Sequence, residues 1–446
     1  MHEKRRLDKD ADAKVDRIIS KDYLLIIVAS LGGTFMNQFF HAAIPLYVQR
    51  LGGVQLQAGT MTTAFALAAL VTRPVSGILS DKYGRVVQIA IGAVICSVAC
   101  ALFGIVGVFP LLLVARALSG AGYGMYSTCT GAAAADVLPK SRMAEGLGYY
   151  GLYTTVSLAI APGIALYIIR GDEIGDFQTL FFLTAAACFI CAIVSRFITY
   201  ERKRKKAAIR DGQDGQDSQD GKDGNRPDLG AAVVSDALPQ DKSAPLPKSI
   251  FGFEFAVFAP MLVIILVYGG NAGLTAFMTP FAKWKGIDNA GLYFTSNAIG
   301  VFASRMIFGR VADKRGFDIV IIPAIALLAI YLVILPFVDS LIALVAIAFP
   351  IGISMGSIMT SINAMIINRC STARRGTASG AYFSAMDLGW AIGTPLLGAL
   401  ADMRGYAFMY RFGAVSVSLA LVFYLLVCSD RRFNARRAKK VFNHVG

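Results

Sequence analysis

The residue with the clearest potential for chemistry is an aspartate inside an apolar stretch, Asp387, in the sequence D-L-G-W-A-I-G-T-P-L-L-G. A charged carboxylate is costly in apolar surroundings, so a residue of this kind is by default a candidate functional residue. Proton exchange is the chemistry that we expect of it. Two alternatives remain open, namely a carboxyl group that always stays protonated as a hydrogen-bond donor and a static partner for an arginine.

Polar side chains also follow one face of the first apolar stretch, in T-F-M-N-Q-F-F-H-A-A-I-P-L-Y-V. Asn37, His41 and Pro45 are spaced by four and therefore share a helix face. A second polar stripe holds Tyr268 and Asn271 at similar spacing. Both stripes are predicted to line a central cavity. His41 is a second candidate for proton transfer, although a lone histidine is more often a neutral hydrogen-bonding residue.

An arginine lies inside another apolar stretch, in L-L-L-V-A-R-A-L-S-G-A-G-Y-G. On insertion scales, an unpaired guanidinium in mid-membrane costs at least about 2.5 kcal/mol, so the protein must compensate for Arg116. Arg116 either acts in coupling and cavity electrostatics or is a structural arginine that donates to backbone carbonyls. The residues predicted to line the cavity or contact a substrate are Asn37, Gln38, Arg116, Tyr268, Asn271 and Trp390.

The elements that must position these residues are long apolar helices. The chain has 446 residues, of which 56% are hydrophobic and only 16% are charged, too few to cover a soluble fold. About twenty apolar residues in a helix cross the roughly 30 Å of a bilayer core. The sequence predicts an all-α membrane protein with twelve spans, at about 22–49, 57–79, 87–108, 111–137, 146–170, 177–199, 251–282, 288–311, 318–338, 341–367, 377–401 and 407–428.

The basic residues indicate how these spans are oriented. The formal net charge of +14 would suit a nucleic-acid-binding protein, but lysine and arginine cluster at the ends of the apolar stretches. Examples are E-R-K-R-K-K at 201–206 and R-R-F-N-A-R-R-A-K-K near the carboxyl terminus. Because cytoplasmic loops are enriched in lysine and arginine, this pattern predicts that both termini are cytoplasmic and that no nucleic acid is bound.

A polar segment divides the chain. Residues 200–250 contain D-G-Q-D-G-Q-D-S-Q-D-G-K-D-G-N, which has almost no apolar side chains to bury, so we expect a disordered cytoplasmic linker. Its aspartates recur at every third position, unlike those of a calcium loop, and no metal site is predicted. The predicted units are cytoplasmic tails at 1–21 and 429–446, six-helix bundles at 22–199 and 251–428, and the linker at 200–250.

An internal repeat relates the two bundles. Residues of the first half recur 232 positions later, among them Arg73 as Arg305 and Thr128 as Thr360. Further pairs are Gly77, Asp81, Lys82 and Gly84 with Gly309, Asp313, Lys314 and Gly316, and Gly120 and Gly124 with Gly352 and Gly356. Charged and glycine positions that keep one register indicate a duplicated six-helix unit. The glycine runs in it either let helices bend and slide or let them pack tightly.

Two loop sequences point to a family. R-P-V-S-G-I-L-S-D-K-Y-G-R (Arg73 to Arg85) and S-R-M-I-F-G-R-V-A-D-K-R-G-F (Ser304 to Phe317) resemble the signatures that follow the second and eighth helices of the major facilitator superfamily. The resemblance implies two pseudo-symmetric bundles with a substrate site between them and a cytoplasmic gate. Asp81 is expected either to latch this gate in the outward-facing state or, with its neighbours, only to anchor the topology. The predicted gate residues are Arg73, Gly77, Asp81, Lys82, Gly84, Arg85, Gly309, Asp313, Lys314, Arg142 and Glu145.

The fifth span resembles an antiporter signature. It reads G-Y-Y-G-L-Y-T-T-V-S-L-A-I-A-P-G-I-A around Pro162, similar to proton-driven efflux members, although Ser157, Ala161 and Ala165 stand where glycine is usual. The eleventh span carries a related pattern around Pro395. Both prolines are predicted to bend their helices, because proline frees a backbone carbonyl. The resemblance implies export.

Together these features predict secondary active export of a small amphipathic organic compound in exchange for protons, across a bacterial inner membrane. Proton-coupled or facilitated uptake of a metabolite is the alternative, and a membrane sensor without transport is a distant one. The sequence has no nucleotide-binding G-x-x-x-x-G-K and no catalytic cluster, so neither an ATP-driven pump nor an enzyme is predicted. We expect no cofactor. The predicted partners are the substrate, protons and the lipid bilayer, and the protein is predicted to be a monomer.

Overall fold

The computed structural model describes residues 19–139, 142, 146, 149–171, 173–202, 249–250, 253–369 and 375–429. Most of the predicted linker and tails lie outside this part of the chain. Among the predicted gate residues, Glu145 lies outside it, as do the side chains of Asp81, Asp313 and Lys314 and the surroundings of Gly309.

The first half of the chain consists of long helices joined by short turns. The helix α1 begins after Ser20, whose Oγ accepts a hydrogen bond from Tyr23 N at 3.2 Å, as an N-cap does. The helices of this half are α1 (Lys21–Arg50), α2 (Gln55–Tyr83), α3 (Arg85–Ile105), α4 (Phe109–Val137), α5 (Leu152–Ile168) and α6 (Ile174–Ser195). Residues 200–202 are also helical, so helical structure reaches the beginning of the predicted linker.

The second half begins with a two-residue β-hairpin, β1 (Ser249–Ile250) and β2 (Phe253–Glu254), paired antiparallel. Its helices are α7 (Phe255–Ala276), α8 (Met278–Trp284), α9 (Gly291–Arg315), α10 (Asp318–Ile334), α11 (Leu341–Arg369) and α12 (Arg375–Phe423). A π-helical turn, Tyr424–Cys428, follows α12. The apolar side chains of both halves meet in one large core.

Helix α12 is broken at Gly405, whose φ of 79° and ψ of 169° are not helical. A Cβ added at Gly389 would lie 2.9 Å from Ile265 O, and one added at Gly413 would lie 2.5 Å from Gly270 O. Both arms of α12, 375–404 and 406–423, therefore pack on α7. The chain must turn back at Gly405, and α12 comprises two antiparallel helical arms.

Nine helices in the described part of the chain are long and apolar enough to cross a membrane. This number treats residues 381–428, which include both arms of α12, as one helix. Helices α4 and α9 have 29 and 25 residues but are not among the nine. The predicted number of twelve spans stays a prediction.

The two halves repeat the same turn after their second long helix. Gly84 ends α2 with φ 95° and ψ 150°, and its N–H donates to Ser80 O at 2.9 Å. Gly316 ends α9 with φ 91° and ψ 158°, and its N–H donates to Ala312 O at 3.0 Å. A positive φ at such a turn favours glycine. We call this end of the molecule the Gly84 end, and the end that holds the turns at Gly52, Gly286 and Gly405 the Gly52 end.

The glycine runs of the fourth and tenth predicted spans pack tightly against neighbouring helices. A Cβ on Gly120 would clash with the carbonyl of Phe65, and a Cβ on Gly352 would clash with that of Asn297. Phe65 and Asn297 are themselves 232 positions apart. The repeat thus preserves a helix contact as well as a sequence pattern, and close approach is the role that these glycines have in this conformation.

Two helix pairs form the seams between the halves: α2 with the first arm of α12, and α5 with α9. Thr63 Oγ1 donates to Ala391 O at 2.6 Å in the first seam. In the second, Thr295 Oγ1 donates to Ala159 O at 2.7 Å. These two hydrogen bonds hold residues of opposite halves together.

Candidate functional site

Asp387 forms an ion pair with Arg73 across the first seam. Arg73 Nε lies 3.0 Å from Asp387 Oδ2, and the two side chains are only 18% and 11% exposed. The guanidinium also lies 5.7 Å from the ring centroid of Phe383. Within the described residues, this is the ion pair that joins the two halves. The candidate proton-coupling residue thus contacts an arginine that the sequence assigned to the gate.

Three of the predicted cavity residues meet in an aromatic row beside this pair. The rings of His41 and Trp390 lie 5.2 Å apart, and those of Trp390 and Tyr268 lie 6.5 Å apart. The hydroxyl of Tyr268 is 3.1 Å from that of Tyr382. Since His41 belongs to the first half and the others to the second, the row crosses between the halves. Trp390 and Asp387 are three residues apart on α12 and lie on one side of it.

The amide residues predicted for the cavity lie on α1 and α7. Asn271 is 5% exposed, whereas Asn37 and Gln38 are half-buried. The Oδ1 atoms of Asn37 and Asn271 are buried and accept no hydrogen bond from any described residue. Free acceptors of this kind suit a site that binds polar groups.

Arg116 is enclosed by aromatic rings. It is 1% exposed, and its guanidinium carbon lies 5.0 Å and 4.1 Å from the ring centroids of Phe40 and Phe65. Its Nε and Nη1 make no hydrogen bond in the described part of the chain. The contacts described for the charge are therefore the cation–π contacts with these two rings.

A cluster of charges lies at the Gly84 end of the first half. Arg85 Nη1 lies 2.5 Å from Asp136 Oδ2 and donates to Ala132 O at 2.7 Å. The backbone N–H of Arg85 donates to Glu201 Oε1 at 2.6 Å. The hydroxyl of Tyr200 donates to both Asp136 and Glu201.

Glu201 escaped the sequence analysis because it begins the polar linker. The only available signal was its position directly before the basic run.

The other predicted gate residues are only partly engaged in this conformation. No described atom lies within 4 Å of a Cβ added at Gly77. Lys82 Nζ lies 5.3 Å from the ring centroid of its neighbour Tyr83. The backbone N–H of Arg142 donates to Pro139 O at 3.0 Å. The latch predicted at Asp81 concerns a side chain outside the described part of the structure and stays a prediction.

The halves also meet at the Gly52 end, in a contact that the sequence did not reveal. Asp402 Oδ1 and Oδ2 accept hydrogen bonds from the backbone N–H groups of Gln55 (2.9 Å) and Leu56 (2.8 Å). These are the first residues of α2, so a carboxylate of one half caps a helix of the other. Next to this cap, a Cβ on Gly59 would lie 2.5 Å from Pro395 Cα.

The two predicted bend residues both lie inside helices, Pro162 in α5 and Pro395 in α12. Pro162 is buried, and the backbone of Pro395 packs on α2. Pro395 therefore lies in the seam itself, where a change in its helix would be transmitted to the other half.

Comparison with known protein families shows which family this chain belongs to. The model of the Major Facilitator Superfamily matches residues 24–393 and 261–443. The chain belongs to the major facilitator superfamily. It is therefore a multi-pass membrane protein of a transporter family.

Relatives within the superfamily include export proteins. An uncharacterized MFS-type transporter of Methanocaldococcus jannaschii is 24% identical over 92% of this chain and 99% of its own length. The staphylopine export protein of Staphylococcus aureus is 22% identical over 90% of this chain and 93% of its own length. The quinolone resistance protein NorA of the same species is 23% identical over 87% and 92%.

The solved structure of the nucleoside transporter NupG has the same fold as this major facilitator chain. The superposition has a TM-score of 0.67 and covers 92% of this chain and all of that one, at 13% sequence identity. At this level of identity the likeness concerns the fold alone.

Proposed function

We propose that this protein is a secondary active transporter that exports small amphipathic organic compounds in exchange for protons. The observation that carries the proposal is the Arg73–Asp387 ion pair across the seam between the halves. It makes a titratable group part of the contact that alternating access must break and re-form.

Proton binding to Asp387 supplies the coupling. A proton on this carboxyl removes its negative charge and with it the attraction to Arg73, so the seam between α2 and α12 weakens. Loss of the proton restores a carboxylate that is costly to bury unless Arg73 pairs with it again. The protonation state of Asp387 thereby biases how the halves are arranged.

The contacts at the Gly52 end support the proposal that this conformation is inward-facing. The Asp402 cap and the close approach of Gly59 to Pro395 hold the halves together at the Gly52 end. The lysine and arginine distribution supports our proposal that this end faces outward, with both termini in the cytoplasm and the protein in the inner membrane of a bacterium. We further propose the twelve spans and the two six-helix units predicted from the sequence, with the protein acting as a monomer.

Export is favoured over uptake because the relatives include a staphylopine export protein and a quinolone resistance protein. The residues proposed to contact the substrate are Asn37, Gln38, Tyr268, Asn271 and Trp390, with His41 as a second candidate for proton transfer and Arg116 acting through the electrostatics of the cavity. A protonated Asp387 would then accompany the return of the substrate-free transporter to the cytoplasmic side.

The decisive experiment compares the wild type with Asp387→Asn in proteoliposomes that contain a trapped pH dye. Lipophilic cations, zwitterions, organic anions and sugars are added, and proton movement is followed for each compound. The matched control is Asp339→Asn, which removes a carboxylate paired with Lys285 at the surface, 74% exposed.

Coupled proton movement in the wild type and in the control but not in Asp387→Asn supports the proposal. Protons that move opposite to the substrate indicate antiport, and protons that move with it indicate uptake by symport. Substrate flux without protons, or normal coupling in Asp387→Asn, would contradict it. A protein that binds compounds but shows no flux is a sensor.

A further inference from the structure

The two seams are related by the same offset of 232 positions as the sequence repeat. Thr63 donates to Ala391 O, and its counterpart Thr295 donates to Ala159 O, where Ala159 is the counterpart of Ala391. The hydrogen bonds are 2.6 Å and 2.7 Å long. A contact between two residues in one seam therefore predicts a contact between their two counterparts in the other seam.

Arg73 and Arg305 are counterparts and lie alike in their seams. The guanidinium of Arg73 packs near the ring of Phe383 at 5.7 Å. Arg305 Nη1 donates at 3.0 Å to the backbone oxygen of Gly151, which is the counterpart of Phe383. Both arginines thus reach across to the same position of the opposite half.

The two seams differ at the position one helical turn after Phe383 and Gly151. Arg73 meets the carboxylate of Asp387, whereas the counterpart of Asp387 in the second seam is Thr155. The Oγ1 of Thr155 is buried and makes no hydrogen bond within the described residues. One seam therefore carries its own carboxylate, and the other carries a hydroxyl.

One edge of the Arg305 guanidinium, formed by Nε and Nη2, consequently has no strong hydrogen-bond acceptor among the described residues. Its Nε, the counterpart of the atom that binds Asp387, is buried without a hydrogen-bond acceptor among the described residues. The one acceptor described for its Nη2 in this part of the structure is Met359 Sδ at 3.8 Å, and a thioether is a weak acceptor. Nε and Nη2 form the edge of a guanidinium that binds a carboxylate through two parallel hydrogen bonds.

The charged groups around Arg305 add to its positive charge. The side chains described inside the protein near the seams include three guanidinium groups, Arg73, Arg116 and Arg305, and the carboxylate of Asp387, while the carboxylate of Asp402 lies exposed at the Gly52 end. Arg116 is enclosed by two rings, whereas Arg305 is partly exposed. A buried excess of positive charge repels a cationic ligand and attracts an anionic one.

We propose that Arg305 binds the carboxylate of an amphipathic organic anion, beside Thr155, where the first seam holds the carboxylate of Asp387. This assignment rests on the proposed transport function and gives its substrate class. Tyr268 and Tyr382, whose hydroxyls lie 3.1 Å apart, are among the neighbours of Arg305. The rings of Tyr268 and Trp390 offer flat apolar surface to the rest of the molecule.

The test uses three compounds that share one carbon skeleton, 3-phenylpropanoate, 3-phenylpropanamide and 3-phenylpropylamine. Their affinities for the purified protein are measured by isothermal titration calorimetry. Hydrogen bonds to charged groups are strong enough that the anion should bind at least about tenfold more tightly than the amide, with the amine weakest. Arg305→Gln should abolish this preference.

A second test introduces a carboxylate beside Arg305 by substitution of Thr155 and compares it with an uncharged substitution. Thr155→Asp should pair with Arg305 and lower the affinity for 3-phenylpropanoate at least about tenfold. Thr155→Asn, of nearly the same size but uncharged, should keep the wild-type affinity. This pair separates competition for Arg305 from any disturbance of the seam.

Equal affinities for the three compounds, tightest binding of the amine, binding of none of them, or equal effects of both Thr155 variants would overturn the assignment. Calorimetry needs no proton gradient, so its result does not depend on coupling through Asp387. A cation that drives protons through Asp387, combined with no preference for 3-phenylpropanoate, would refute this inference and leave the proposed function standing.

Discussion

Asp402 Oδ1 lies 2.9 Å from the backbone nitrogen of Gln55, although the two residues are 347 positions apart in the chain and belong to opposite halves. The second oxygen of the same carboxylate accepts from the next backbone N–H, that of Leu56, at 2.8 Å. An anionic cap interacts favourably with the positive end of a helix. Here this stabilisation is available only while the Gly52 end is closed.

Asp402→Ala should therefore open the Gly52 end more often. Removal of a cap of this kind costs about 1 kcal/mol, which corresponds to about a fivefold shift in the equilibrium between closed and open forms. Spin labels at Val108→Cys and Phe337→Cys, both exposed at the Gly52 end, report the distance between the halves by double electron–electron resonance. An unchanged distance distribution in Asp402→Ala, relative to Asp339→Ala, would show that the cap has no such role.

Gly59→Val should prevent full closure of the same end. Its Cβ would lie 2.5 Å from Pro395 Cα and 2.7 Å from Thr394 O, and backbone atoms of a helix cannot move away cheaply. Transport in proteoliposomes should fall, and the same spin-label pair should report longer distances. Gly77→Val is the control for this conformation, because no described atom lies within 4 Å of an added Cβ. Equal distance distributions in the two variants would contradict the prediction.

Phe65→Leu should destabilise the protein by removing the ring nearest to the buried charge of Arg116, at 4.1 Å. A desolvated cation–π contact contributes about 2 kcal/mol, so the melting temperature in detergent should fall. Phe189→Leu, at a side chain that is 52% exposed, is the control and should melt like the wild type. The same melting temperature for all three proteins would mean that other groups stabilise the arginine.

The sequence could predict what is local or repeated. Its repeat of 232 residues marks both glycine turns, at Gly84 and Gly316, because a turn with positive φ needs glycine in either half. The family was recognisable from the loop signatures, since these residues are adjacent in the chain. Asp387 could be chosen as a candidate because a carboxylate in an apolar helix is costly wherever the helix packs.

Contacts between distant residues could not be predicted in this way. The partner of Asp387 is 314 positions away, and nothing in either neighbourhood names the other. Arg116 obtains its stabilisation from rings on α1 and α2, whose aromatic residues look like ordinary membrane side chains in the sequence. The break at Gly405 lies between two predicted spans, 377–401 and 407–428, but the packing of both arms on α7 depends on tertiary structure.

The hydrogen bonds of Thr63 and Thr295 constrain the residue types at the donor positions more than those at the acceptor positions. Each threonine contributes its own hydroxyl, whereas Ala391 and Ala159 contribute only the backbone oxygen that every residue has. Natural selection acting on these bonds therefore restricts the donor positions to hydroxyl side chains and restricts the acceptor positions by size alone. Descendants of the duplicated gene should accordingly keep threonine or serine at 63 and 295 while alanine, glycine and serine replace one another at 391 and 159.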